Sequence, residues 1–342
     1  MAVLPPLLLF EKSYERVKDE LRRRVSDVNA ILWNTDGSLK RDGVVIDPAE
    51  VSPTAVWASG DMLATWTLKT FSATLAALPS VRWLQTAHAG TDHPIYVELA
   101  ARGVRVSKSS AQSIPIAEYV LGYALAHVQD FALRRTAQAD GRWKAHRFGE
   151  LWHKAWLIIG YRHIGKHVAR RAKAFDCHTV IVRQSTSGDE FADQIVSLAG
   201  VKDHLPSADF VVLACPATEQ TRGLVDSAFL NAMNSDALLI NVARGSLIDE
   251  ASLITALDQG ALAGAVLDVF AMEPLPDDDP LWRHSKVTVT AHTSNAGSGT
   301  RGRGDELFIS KLERFVAGAE PLDLVPIEER GLRQPSQSCG AG

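Results

Sequence analysis

Cysteine is scarce in this chain, three in 342 residues, and no two form a CxxC pair. That fits a reduced cytoplasm better than a disulfide framework, with Cys177 and Cys215 as small core residues and Cys339 in a polar tail. His146, His153, His163 and His167 show no ligand spacing tied to acidic partners, so no metal is expected. Long apolar runs are also missing. The opening stretch from Val3 to Phe10 is too short to span a bilayer, has no basic leader and runs straight into charged residues. It reads as a first strand of a cytoplasmic protein. Net charge is only −4, which gives no electrostatic case for nucleic acid or an anionic membrane. No internal repeat of solenoid type is present.

What the chain has is apolar content, 46% over a length sufficient for two cores, arranged as alternating strand and helix signals. Leu7 to Phe10, Ala30 to Trp33, Val56 to Ala58, Val81 to Thr86 and Val104 to Val106 read as strands of a first unit. A long amphipathic helix from about Ile114 to Gln138 leads to a second unit, whose strands begin at Ala155, Thr179, Ala208, Ala237, Ala263 and Val287. A last helix spans roughly Arg301 to Ala317. The tail from Gly331 is poor in apolar residues and reads as flexible. The fold class expected is α/β, with two Rossmann-type, flavodoxin-like doubly wound parallel-sheet domains.

Three polar residues follow three successive apolar runs in the second unit. Arg244 follows LLINVA, Glu273 follows GAVLDVFAM and His292 follows VTVTA. Open α/β sheets bind ligands at the carboxyl ends of their strands, so all three would face one crevice. Their chemistry suits reduction of a 2-oxo acid. A planar guanidinium grips a carboxylate and polarises the adjacent carbonyl. Hydride arriving at the ketone carbon leaves an alkoxide that needs a proton. An imidazole supplies it near neutrality, and a neighbouring carboxylate favours the charged donor.

The second unit opens with AWLIIGYRHIGKHVARRAKAF, a strand, turn and helix in the setting of a dinucleotide fingerprint. Gly160 supplies the tight turn and Gly165 the close helix packing, but the middle glycine position is Arg162. Two readings stay open: the guanidinium takes a phosphate at the helix N-terminus, or it crowds the pyrophosphate. Further on, TVIVRQSTSG places Arg183, Ser185 and other hydroxyls where an acid would hold an NAD ribose. A cation there suits a 2′-phosphate, so NADP is favoured, with NAD possible.

The segments ADFVVLACPATEQTRGLVD, LLINVARGSLIDEASLITALDQGALAGAVLDVFAMEPLPDDDPLW, VTVTAHTSNAG, VRWLQTAHAGTDH and IPIAEYVLGYALA closely resemble the D-isomer-specific 2-hydroxyacid dehydrogenases. The resemblance covers most of residues 80–297. It implies that Arg244 binds substrate, that His292 is the acid/base with Glu273 as partner, and that Asp268 lies beside the nicotinamide carboxamide. It implies a substrate-carboxylate loop at Ala89, Gly90 and Thr91. Dinucleotide contacts are implied for Gly160, Arg162, His163, Ile164, Arg183, Ser185, Cys215, Pro216, Thr221, Val242 and Ala243, together with Arg244, Asp268 and His292.

The resemblance also implies a discontinuous substrate domain, 1–110 with 298–330, around a dinucleotide-binding domain at 111–297, leaving 331–342 as the tail. It implies a homodimer, and a small 2-oxo or 2-hydroxy acid as the ligand. The expected activity is NAD(P)-dependent reduction of a 2-oxo acid to a D-2-hydroxy acid. A nicotinamide-sensing, corepressor-like binding protein, or a weakened relative without activity, is the alternative.

Overall fold

Apolar runs of four or five residues become buried strands throughout the chain, because strands covered on both faces have no side to leave polar. The structure, a computed structural model, describes residues 6–25, 28–65, 67–91, 93–185 and 187–325. The flexible tail expected from Gly331 lies outside them. The chain divides into two units, one reaching to Gln112 and resuming at Ser298, the other running from Ser113 to Gly297.

In the first unit the strands are β1 (Leu7–Phe10), β2 (Ala30–Trp33), β3 (Leu39–Arg41), β4 (Val44–Ile46), β5 (Ala55–Ala58), β6 (Trp83–Thr86) and β7 (Arg105–Ser107). Its helices are α1 (Glu11–Val25), α2 (Gly60–Leu63), α3 (Leu68–Ala76), α4 (Pro94–Ala101) and, from the end of the chain, α10 (Thr300–Val316). The sheet order is β4-β3-β2-β1-β5-β6-β7. All neighbours are parallel except across β3, which runs antiparallel to both β2 and β4. That hairpin was not expected from the sequence. Its outer strand keeps Val44 and Val45 in solvent, so no burial pattern marks it.

The second unit contains β8 (Ala155–Ile159), β9 (His178–Val182), β10 (Gln194–Val196), β11 (Phe210–Leu213), β12 (Leu238–Asn241), β13 (Gly264–Leu267) and β14 (Val287–Val289). Its helices are α5 (Ser113–Val128), α6 (Phe131–Ala139), α7 (His163–Lys173), α8 (Ser227–Ala232) and α9 (Glu250–Gln259). The order β10-β9-β8-β11-β12-β13-β14 is parallel at every pairing. Apolar layers cover both faces. One is built around Val211, Leu239 and Phe229, the other around Trp156, Phe210 and Val168.

The single long helix expected at 114–138 is two helices. Asp130 between them adopts φ +55°, a left-handed conformation that aspartate tolerates better than most residues and that ends a right-handed helix. In the second sheet the edge strand β10 was likewise not expected, since it is three residues long and none of them is fully buried, whereas the other six strands match the apolar runs. Among the described residues no helix is long and apolar enough to cross a membrane.

Candidate active site

Strands β12, β13 and β14 lie side by side and point the same way, so the segments after them leave one edge of the sheet. Arg244, Glu273 and His292 stand on those three segments. His292 Nδ1 lies 2.8 Å from Glu273 Oε2. The second carboxylate oxygen of Glu273 is occupied by the Phe270 amide at 3.0 Å, which fixes the acid's orientation from its own loop. Each side chain of the pair is about two-fifths exposed, 43% for His292 and 37% for Glu273, so a ligand can reach it.

Arg244 is aimed by its backbone. Asn241, fully buried at the end of β12, accepts from the Ala243 amide at 3.0 Å and donates to the Arg244 carbonyl at 2.9 Å. The guanidinium donates to the Ala243 carbonyl at 2.7 Å. The next residue, Gly245, packs its Cα against the Phe270–Ala271 peptide so closely that a β-carbon would overlap it. The Arg244 turn is therefore seated on the loop that carries Glu273. Glu250, at the start of α9, braces the same loop by accepting from the Ala271 amide at 2.8 Å, and its burial raises its carboxyl above the usual range.

Asp268 is fully buried, and both its carboxylate oxygens are taken up by the His292 loop. Oδ1 accepts from the Thr290 hydroxyl at 2.6 Å, the Thr293 amide at 2.8 Å and the Ser294 amide at 3.2 Å, while Oδ2 accepts from Ser294 at 3.1 Å. The His292 amide donates to the Asp268 carbonyl at 2.9 Å. His292 itself has φ +54°, a left-handed conformation that the surrounding bonds must sustain. Asn241, Gly245 and Thr290 were not singled out from the sequence. Their signal is positional only, since each flanks one of the three site residues.

The glycine-containing turn fits a dinucleotide. Gly160 has φ +100°, and a β-carbon there would lie 2.6 Å from the Ala214–Cys215 peptide. Gly165 leaves no room for a β-carbon beside the Gly160 carbonyl. Arg162, by contrast, has φ −82° and ψ −157°, extended backbone open to any residue, and it sits exposed at the N-cap position of α7 without a side-chain capping hydrogen bond to the helix. Glycine at that position is a matter of approach by a ligand and not of chain conformation. His163 and Ile164 begin the helix. Across the turn, burial pushes the Cys215 thiol up to about 11, and Thr221 closes its loop by donating to the Pro216 carbonyl at 2.7 Å. Val242 and Ala243 are buried at the foot of the Arg244 turn.

At the end of β9 the Arg183 guanidinium lies 5.1 Å from the centre of the Tyr161 ring and donates to the Ser187 carbonyl. Ser185 and Ser187 share a hydroxyl contact at 2.9 Å. Tyr161 donates to Asp189 at 2.7 Å, and Lys166 reaches the other Asp189 oxygen at 3.0 Å. These contacts, the Tyr161 hydroxyl first, hold the Asp189 carboxyl down at about 2.

In the first unit, Ala89, Gly90 and Thr91 follow β6. Their loop is fixed by Gln112, which donates to the Ala87 carbonyl at 3.0 Å, and by the Ser109 amide on the His88 carbonyl at 2.9 Å.

Residues 121–294 match the family model for the NAD binding domain of D-isomer specific 2-hydroxyacid dehydrogenases. A glyoxylate reductase of Korarchaeum cryptofilum is 32% identical over 276 residues, 76% of this chain and 80% of that protein. The chain belongs to the D-isomer specific 2-hydroxyacid dehydrogenase family. Other members agree in extent. A glyoxylate/hydroxypyruvate reductase of Arabidopsis thaliana is 31% identical over 71% of this chain and 78% of its own. A dehydrogenase of the family from Xanthobacter autotrophicus Py2, solved with NADPH and MES, superposes with a TM-score of 0.76 at 26% identity, covering 96% of this chain and all of that one. Membership makes this protein an oxidoreductase that moves a hydride between a nicotinamide dinucleotide and a small 2-oxo or 2-hydroxy acid.

Proposed function

We propose that the protein reduces a small, unbranched 2-oxo acid such as glyoxylate or hydroxypyruvate to its D-2-hydroxy acid, with NADPH preferred over NADH. The observation that carries this reading is the 2.8 Å contact of His292 with Glu273 on the strand-end segment next to that of Arg244. Glu273 occupies Nδ1 of the imidazole, so the proton available to a ligand sits on Nε2. A reduced nicotinamide, when bound, supplies the hydride. Its addition to the carbonyl carbon converts the C=O π pair into an alkoxide, which takes the Nε2 proton of His292. Arg244 holds the substrate carboxylate and draws charge toward the carbonyl oxygen. Ala89, Gly90 and Thr91 are the substrate-carboxylate loop proposed for the first unit.

Gly160, the start of α7 and the loop from Cys215 to Thr221 would receive the dinucleotide, and Asp268 would set the nicotinamide end through the loop it anchors. Arg183, with Ser185, would take the 2′-phosphate, and Arg162 a phosphate of the bridge. NADP(H) in the Xanthobacter relative supports that preference. A homodimer is the state proposed for the protein in solution. The exposed apolar side chains Phe131, Leu133, Trp143, Phe148 and Trp152 support it, since they cluster in sequence on and after α6.

Nicotinamide absorbance with glyoxylate, hydroxypyruvate, pyruvate and bulkier 2-oxo acids, each with NADPH and NADH, tests the reading. Turnover of the smallest acids with NADPH is expected. No turnover across the panel, combined with cofactor-dependent binding to another protein, overturns it in favour of a corepressor-like role.

A further inference from the structure

His292 is not held by packing, because its ring is 43% exposed. Its direction is set by the Nδ1 contact with Glu273 and by the backbone it hangs from, which is in a left-handed conformation strained for a residue other than glycine. What stabilises the loop is the Asp268 carboxylate, whose one hydroxyl donor among the described residues is Thr290 at 2.6 Å. A hydroxyl has a single hydrogen, and Thr290 spends it on Asp268. The remaining contact of that oxygen, 2.7 Å to the Tyr119 hydroxyl, is therefore donated by Tyr119.

The result is a directed chain from helix α5 through Thr290 to Asp268. Tyr119 is well placed to anchor it. Neighbouring residues Ile116, Ala117 and Val120 bury α5 in the core of the second unit, and the Tyr123 ring lies 4.6 Å from its own. Burial pushes the phenol well above its ordinary range, so it stays a donor through the working pH of a reductase. Donation into Thr290 also strengthens the bond Thr290 makes onward to Asp268, as in any chain of hydroxyls.

We propose that Tyr119 is a positioning residue for His292, setting the left-handed loop through Thr290 and Asp268. The inference rests on the acid/base reading of His292. In the full-length protein, with NADPH and glyoxylate as probes, Tyr119→Phe should lower kcat roughly tenfold while leaving the glyoxylate KM within about twofold. The isotope effect with NADPH deuterated at the transferred position should rise, because the chemical step is the one slowed. A loss of folded protein would lower kcat without moving the isotope effect. Thr290→Val should behave like Tyr119→Phe, Thr290→Ser like the unmodified protein, and the double variant no worse than Thr290→Val alone, since both act along one chain.

Hydrogen exchange gives a readout free of substrate and cofactor: the Thr293 and Ser294 amides should exchange faster in Tyr119→Phe. Unchanged kcat, isotope effect and exchange in Tyr119→Phe overturn the inference, as do additive losses in the double variant. Turnover surviving in His292→Ala would instead remove the acid/base reading, and the exchange result would still decide whether Tyr119 sets the loop.

Discussion

Asn241 and Arg244 are tied by a 2.9 Å bond from the carboxamide to the carbonyl, so a buried amide at a strand end sets the turn from which the guanidinium projects. Replacing Asn241 with Leu leaves both the Ala243 amide and the Arg244 carbonyl without that partner. The expected cost is about 2 to 4 kcal/mol of stability, with kcat/KM falling as Arg244 loses its aim. Asn241→Asp keeps an acceptor for Ala243 but buries a carboxylate with one oxygen facing the Arg244 carbonyl, so at neutral pH it should cost at least as much as Asn241→Leu. Denaturant melts and steady-state kinetics on the two variants check this, and equal stability for all three proteins would contradict it.

Removal of the reacting groups separates their roles. His292→Ala is expected to lower kcat by roughly 10² to 10⁴ through loss of the proton donor. Arg244→Ala should cost on the order of 3 kcal/mol in kcat/KM, shared between binding and rate, because clamp and polariser vanish together. Steady-state rates across a range of 2-oxo acid concentrations give both numbers. Near-normal turnover in either variant removes that residue from its assigned role.

Cofactor choice turns on Arg183. Arg183→Asp should raise the NADPH Michaelis constant by roughly tenfold or more and leave NADH nearly unaffected, since the new carboxylate repels a 2′-phosphate that NADH lacks. If Arg162 takes a phosphate, calorimetric titration of NADPH should give weaker binding in Arg162→Ala, with a salt dependence reduced from that of the unmodified protein. Tighter binding in both Arg162→Ala and Arg162→Gly would mean that the side chain obstructs.

Acid stability depends on Asp189. Its folded value near 2 lies below its ordinary 3.8, so ionisation favours the folded state. That contribution is complete above the unfolded value and is lost as pH falls from about 4 through about 2. Asp189→Asn should therefore melt at a lower temperature than the unmodified protein at neutral pH, and the gap should close as the medium is acidified. Thermal melts from pH 6 down to roughly pH 2 measure it. A gap that stays constant with pH would sink the assignment.

Two of the strands that carry the site were legible because they are buried along their whole length: LLIN before Arg244 and GAVL before Glu273. VTV before His292 is only partly covered and was legible from its short β-branched run alone. The three site residues could be placed because each lies a few residues past such a run. The outer hairpin was hidden for the opposite reason, as Val44 and Val45 face solvent and carry no pattern. The break at Asp130 turns on one backbone torsion, which a periodic sequence does not announce. Residues such as Asn241, Thr290 and Tyr119 act through neighbours far along the chain or through backbone groups. Their roles exist only once those neighbours are brought together.

Gly245 carries a consequence for how this site can change. Its Cα rests directly on the Phe270–Ala271 peptide, with no room for even a methyl group. The turn bearing Arg244 and the loop bearing Glu273 therefore share one surface and cannot drift in length independently. An insertion in either would lift it off the other and part the guanidinium from the carboxylate–imidazole pair. Transplanting the Arg244 turn alone into a foreign scaffold should fail for the same reason, whereas a graft that moves both segments together carries its own seating with it.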